Sequence, residues 1–342
     1  MSAPQPRRSA EKSRVTIAHV AGLAGVSPTT VSHVLSGKRL VGEATRERVQ
    51  AAIHELEYRP NSAARQLRTN RSHMVAAIVP DIVNAYYSEL TRGLADAVGA
   101  DEYGTYVCNT DGHLERERTF VHDVLDRGVD GVVMASLNVD AQNYSIPIQF
   151  GTPVVCVGGR RAGDTSVDLV TVDDLAGSRA ATAHLLARGA RRVAMIQGPV
   201  GGGEARVQGY REQLIEAGHE VDPGLLVRGD WTRTGGRAAM TTLMRLRPRP
   251  DAVFCANDLT AIGAMDAART LGLRVPDDVR LVGFDDVDAA TIVSPPLTTV
   301  QNPSYDTGRR AGELLMSRIV GAYDGPGRTL VLPCPLIERD SA

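Results

Sequence analysis

Cysteine is scarce and scattered. Cys108, Cys156, Cys255 and Cys334 lie far apart, with no C-x-x-C spacing and no histidine cluster beside them. That argues against a small disulfide scaffold or a zinc site, and leaves buried thiols in apolar surroundings such as Val154-Val155-Cys156-Val157. Also missing is any apolar run near the ~18–20 residues that a membrane span needs. The start, Met1 to Arg14, is polar and basic with no apolar stretch behind it, unlike a secretion signal. A cytoplasmic location without a membrane partner is expected. H-E-x-x-H, G-x-x-x-x-G-K-[ST] and G-x-S-x-G are absent too, which weakens metalloprotease, P-loop and serine-hydrolase readings. Neither a metal nor a cofactor is expected.

What is present is a chain of 342 residues, 43% hydrophobic and 23% charged, long enough for two or three domains with buried cores. Its formal charge of −2 conceals an asymmetry: residues 1–72 carry 12 Lys or Arg against 5 Asp or Glu, net +7, and the rest 26 against 35, net −9. A small basic domain on an acidic body gives the first part a polyanion as partner and keeps the body away from it.

Between Val15 and Leu56 apolar residues recur at helical spacing in three blocks: Ile17, Val20, Ala21 and Ala24; Val31, Val34 and Leu35; Val49, Ala52, Ile53 and Leu56. Thr16 can cap the first helix, Gly25 permits a tight turn, Ser27 caps the second helix and Glu43 suits the start of the third. This is a helix-turn-helix pattern. In that geometry the second helix enters the major groove, making Pro28, Thr29 and His33 candidate base readers, while Arg14, Lys38, Arg39 and Arg46 meet phosphates. His33 taken alone would be an ordinary surface histidine. The next stretch, Asn61 to Thr69, has good helix formers and almost no apolar face, so it should order only against something else. If that is DNA, Leu67 suits a minor-groove wedge, with Arg65 or Arg68 on phosphate; otherwise the stretch is a linker.

From Met74 onward, apolar strand-like runs alternate with helical patterns: Val75 to Val79, Thr105 to Cys108, Gly131 to Met134, Arg192 to Ile196, Ala252 to Cys255 and Val279 to Val282. Continuous apolar strands between helices mean parallel sheets covered on both faces. Two doubly wound lobes follow, with ligands expected beyond the carboxyl ends of the strands. Asn84 and Asp258, at such ends, are assigned first to helix capping.

Several linked motifs, in order, carry a resemblance. Val15-Thr16-Ile17-Ala18-His19-Val20-Ala21, Gly25 to Leu35, Thr45-Arg46-Glu47-Arg48-Val49 and Tyr58-Arg59-Pro60-Asn61 resemble the DNA-binding head of the lactose/galactose-repressor (LacI/GalR) family. Val79-Pro80-Asp81-Ile82, Cys108 to Gly112, Ala256-Asn257-Asp258, Gly283-Phe284-Asp285-Asp286 and Pro296 to Val300 extend it nearly end to end. His19 stands where an acidic residue is common, and His33 where many members carry Arg. The resemblance implies a small all-α head on an α/β body whose lobes are similar to periplasmic sugar-binding proteins, with crossings near Asp173, Gln301 and Val331.

The expected division is a disordered basic arm, 1–14; the helix-turn-helix domain, 15–60; a hinge or linker, 61–71; a first lobe, 72–172 with 302–330; and a second lobe, 173–301 with 331–342. The expected DNA-facing residues are Thr16, Ser27, Pro28, Thr29, Thr30, Ser32, His33, Lys38 and Arg39 in the head, with Asn61, Ala64, Arg65 and Leu67 beyond it. The resemblance places Tyr86, Tyr87, Arg206, Trp231, Asn257 and Asp285 around a small-molecule effector, a sugar by their chemistry: an aromatic face for C–H groups, and amide, carboxylate and guanidinium for hydroxyls. Gly158 departs from a common Asp, and the Gly198–Gly203 loop is short and glycine-rich. Lacking the Lys-Ser/Thr ending, that loop reads as a short connection, not a phosphate cradle.

The function expected is that of a transcriptional repressor, a homodimer on a near-palindromic double-stranded operator, whose affinity an effector controls. A nucleobase or other non-sugar metabolite is the alternative effector. The closing segment around Glu338-Arg339-Asp340 has no heptad pattern to support a tetramer. An enzyme with Asp285 or Asp258 as base leaves the basic head unexplained, and a transport protein would need export.

Overall fold

The computed structural model describes residues 15–36, 39–58, 71–135, 141–159, 164–199 and 202–342. The basic arm, Lys38, Asn61, Ala64, Arg65 and Leu67 lie outside them. The chain divides into two compact units, Met1–Ser72 and His73–Ala342.

The first unit holds α1 (Ile17–Ala24), α2 (Pro28–Ser36) and α3 (Glu43–Glu55). Val20, Ala21, Ala24, Val31, Val49 and Ala52 form its core, flanked by half-buried Ile17, Val34 and Ile53. Gly25, at φ 63°, turns the chain out of α1 in the left-handed conformation that glycine adopts without a Cβ penalty. The spacing places Leu35 with Val31 and Val34, but it is 40% exposed. Neighbours on a helix stand about 100° apart, and with Val34 turned inward Leu35 faces out.

The second unit opens with β1 (Met74–Val79), α4 (Ala85–Gly99), β2 (Gly104–Asn109), α5 (Leu114–Asp126), β3 (Gly131–Met134), α6 (Ala141–Gln149), β4 (Val154–Val157) and β5 (Asp168–Val172). Then come α7 (Asp174–Ala187), β6 (Val193–Gln197), α8 (Glu204–Glu216), β7 (Leu226–Arg228), α9 (Arg233–Met244), β8 (Ala252–Cys255), α10 (Asp258–Thr270), β9 (Arg280–Val282) and α11 (Ala289–Ile292). The last elements are β10 (Thr299–Val300), α12 (Ser304–Ile319), β11 (Thr329–Leu332) and β12 (Leu336–Ile337).

A six-stranded parallel sheet runs β11-β5-β4-β3-β1-β2 and a four-stranded parallel sheet β7-β6-β8-β9, while β10 and β12 pair antiparallel. In β1, Val75, Ala77 and Val79 join one core and Ala76 and Ile78 the other, so both faces are covered and the strand reads as an unbroken apolar run. The chain passes between the sheets after Val172, after Val300 and after Leu332. The third crossing falls beyond Val331 because β11 stays in register with β5 through the Leu332–Val172 pair.

At the other end of β5, buried Asp168 accepts from Arg318 Nε at 2.7 Å and Arg328 Nη2 at 2.7 Å, tying α12 and the residue before β11 to that strand. Burial pushes this carboxyl up, but the two guanidiniums outweigh it and hold the group below the ordinary carboxylate range.

Candidate functional site

In the head, Ser27 Oγ accepts from the backbone N–H of Thr30 at 3.1 Å, capping α2, and lies 2.9 Å from the Thr30 hydroxyl. Both side chains thus have local work. At the start of α1, His19 Nδ1 accepts from the Thr16 N–H at 3.2 Å, the bond a capping-box acid would otherwise make. Val31 fixes one edge of α2 in the core, while Pro28 and Thr29 are exposed on its first turn and Ser32 and His33 follow one turn later, half-buried. Pro28 starts the helix where its missing N–H costs nothing. Arg39 is exposed.

In the body, the carboxyl ends of both parallel sheets open onto one cavity of about 420 Å³. Tyr86, Tyr87, Arg206, Trp231, Asn257 and Asp285 all line it. Asn84 caps α4, its Oδ1 accepting from the Tyr86 N–H at 3.1 Å, and so sets the two tyrosines on the first turn. Their rings meet edge to face at 5.0 Å, and burial raises both phenol pKa values.

Arg206, on the first turn of α8, is the centre of the opposite wall. Its Nε donates to Asp174 Oδ1 at 2.7 Å and its Nη1 to the Ala256 carbonyl at 2.5 Å, with Asp285 Oδ1 at 3.6 Å. The guanidinium lies 3.6 Å from the Phe284 ring centroid and 5.6 Å from that of Trp231. Burial alone would lower its pKa, but the two carboxylates raise it. Asp285 is raised as well, but by burial, which pushes it up to about 6 against the pull of Arg206 and Asn302.

The capping assignment for Asp258 is corrected by the structure. Asn257 caps α10, with Oδ1 accepting from the Thr260 N–H at 3.0 Å, while its Nδ2 donates to the Trp231 carbonyl at 3.0 Å. Asn257 therefore lines the cavity with its amide already engaged. Asp258 is fully buried and accepts from the Val287 N–H at 2.9 Å and the Thr299 hydroxyl at 2.5 Å. Burial, then the nearby Asp285, keep its pKa well above the ordinary range.

Trp231 sits at φ 66°, and a Cβ on Gly198 or Gly203 would press on its indole. The glycines of the connection before α8 thus make room for the aromatic ring. Val200 and Gly201 lie outside the described residues. Gly158, at φ 84°, has open space where a Cβ would stand, so the wall carries no side chain at that point.

Asp174 and Asn302 also line the cavity, and the sequence reading missed both. Each follows a short apolar strand beside a crossing, the kind of strand end beyond which ligands are expected. Trp231 Nε1 and Asn302 Oδ1 are buried and meet no hydrogen-bond partner among the described residues, which leaves a donor and an acceptor for a ligand. Among the described residues no cluster of His, Cys, Asp or Glu could hold a metal ion, and no helix is long and apolar enough to cross a membrane.

Residues 16–61 match the family described as bacterial regulatory proteins, lacI family, and residues 182–342 the periplasmic binding protein-like domain. The HTH-type transcriptional regulator CelR of Thermobifida fusca is 39% identical over 337 residues, covering 96% of this chain and 98% of that one. A solved structure, the transcriptional regulator CelR–cellobiose complex, superposes with a TM-score of 0.75 at 36% identity, covering 96% of this chain and 100% of the other. The Lac repressor dimer bound to operator and the anti-inducer ONPF gives a TM-score of 0.86 at 27% identity, over 96% of this chain and 99% of that one. With a helix-turn-helix head, a two-lobed body and near full-length identity to such a regulator, the chain belongs to the lacI family of bacterial regulatory proteins and is a DNA-binding transcriptional regulator with its own effector-binding domain.

Proposed function

We propose that the chain acts in the cytoplasm as a repressor: a homodimer grips a near-palindromic operator through two heads, and a sugar bound between the lobes changes its operator affinity. The sugar reading rests on one observation, that Trp231, Arg206, Asp174 and Asp285 converge on a single cavity with unpartnered polar atoms at Trp231 Nε1 and Asn302 Oδ1. An indole face packs on sugar C–H groups, while the polar set takes hydroxyls. The CelR–cellobiose complex supports the class of ligand, and the operator-bound Lac repressor dimer supports the mode of DNA binding.

The chain works by binding, without turnover. Asp258, a candidate base, is enclosed and its oxygens are taken by Val287 and Thr299. Pro28, Thr29 and His33 read bases in this reading, and Arg39 meets phosphate. Effector and operator must then alter each other's affinity by the same factor.

The test is calorimetry with cellobiose and other neutral sugars on the wild type and on Arg206→Ala, beside operator binding of the empty proteins. Arg206→Ala should lose sugar affinity and keep operator affinity, because its loss strands Asp174 and Asp285 in the body alone. Normal sugar affinity in that variant would overturn the cleft assignment.

A further inference from the structure

Doubly wound sheets aim helix N-termini at the cleft beyond their strand ends, and those positive ends ordinarily favour anions. In this chain the protein's own carboxylates stand in the first turn of two of them and just before two others. Asp174 stands in the first turn of α7 and Glu204 in the first turn of α8. Asp230 Oδ1 accepts from the Thr232 N–H at 2.9 Å just before α9, and Asp81 Oδ1 accepts from the Val83 N–H at 2.9 Å before α4.

All four carboxylates line the cavity, together with Asp285 and with Asp111, which is paired with Arg116. Among the described lining residues Arg206 is the sole Lys or Arg, and it is already engaged by Asp174 and Asp285. Both walls carry negative charge: Asp81 and Asp111 on the large-sheet side, Asp174, Asp230 and Asp285 on the other. An anionic group entering here meets carboxylates from two sides in a partly desolvated space, where charge repulsion is stronger than in bulk water. A hydroxyl meets acceptors for its proton, and Trp231 Nε1 can donate to its oxygen.

From this we infer that the cleft selects an uncharged, polyhydroxylated effector and rejects phosphorylated or carboxylated forms of the same sugar. This rests on the sugar reading above and narrows it. The consequence is a place upstream of phosphorylation: the regulator senses a sugar before a kinase or phosphotransferase has acted on it.

The experiment titrates the full-length protein with glucose and cellobiose, each beside its 6-phosphate, and with glucuronate. Calorimetry gives affinity, and fluorescence of Trp231, the chain's single tryptophan, assigns binding to the cleft. The expected result is binding of at least one neutral sugar, with its phosphate at least tenfold weaker at low salt and the gap narrowing as salt screens the charges. The double variant Asp81→Asn, Asp230→Asn should narrow the gap by raising affinity for the phosphate. A phosphate ester or glucuronate that binds as tightly as the neutral sugar overturns the inference and leaves the sugar reading standing. Failure of all five compounds to bind removes the sugar reading and the inference with it.

Discussion

Asn302 Nδ2 donates to Asp285 Oδ1 at 3.0 Å, so a carboxylate of the cleft is held by a residue in the segment that carries the chain from one sheet to the other. The Asp285 N–H also donates to the Val300 carbonyl at 2.8 Å, at the end of β10. Arg206 joins this assembly to Asp174, which follows the first crossing. One guanidinium thus spans groups attached to two crossings. A ligand that takes over contacts on Asp285 acts directly on a segment where the lobes can pivot, the kind of differential contact a conformational shift requires.

Asp285 also makes the cleft sensitive to pH. Burial pushes it up to about 6 in the folded protein, above its ordinary 3.8. Its ionisation therefore opposes folding: the stability present below about pH 4 is lost as pH rises through about 6. Asp285→Asn removes that loss and should be more stable than the wild type at pH 7.5 by about 1–3 kcal/mol, with little difference at pH 4. It should bind effector more weakly. Paired thermal melts at the two pH values check this, and an Asn variant equally destabilised at both would sink it.

A second expectation concerns the packing of Trp231. A Cβ at Gly198 would overlap the indole and crowd the Gly202 carbonyl, so Gly198→Ala must displace the ring. Overpacking of this kind costs about 1–3 kcal/mol. The variant should show a red-shifted Trp231 emission and weaker effector binding, with operator binding of the empty protein retained. Unchanged emission would mean that the loop yields instead of the ring.

How much of this was legible beforehand depends on the range of the forces involved. The unbroken apolar run of β1 announces a strand buried on both faces, because Val75 and Ala76 each find a core. The cap at Ser27 is equally local, three residues from its donor. Asp174 stood at a strand end, but its pairing within the cleft was not legible, since its partner Arg206 lies 32 residues away. Asn257 looked free for a ligand until the Trp231 carbonyl, 26 residues earlier, was seen to hold its amide. Leu35 failed for a different reason: periodicity allowed both it and Val34 a place on the inner face, and packing had room for one.

Ser27 separates capping from DNA contact. Ser27→Ala removes the acceptor for the Thr30 N–H and should lower head stability by about 1 kcal/mol. Ser27→Asp restores an acceptor and complements the helix N-terminus, so the head should melt near the wild-type temperature. Its added negative charge faces DNA in the proposed geometry and should weaken operator binding more than Ser27→Ala does. Equal operator affinities for the two variants would place Ser27 away from the phosphates.

The last prediction separates reading from holding. Thr29 and His33 lie one turn apart on α2, whose Val31 edge is locked into the head's core, so the helix cannot roll to bring a different face forward. His33→Ala should therefore lose discrimination at particular base pairs, each contact being worth about 1–3 kcal/mol. Arg39→Ala should instead weaken binding to all sequences alike and reduce its salt dependence, since phosphate contacts carry no sequence information. Selection of randomised operators by the two variants, with affinities at two salt concentrations, distinguishes the roles. An unchanged site preference in His33→Ala would remove that residue from the reading face and shift the reading to Thr29 and its neighbours.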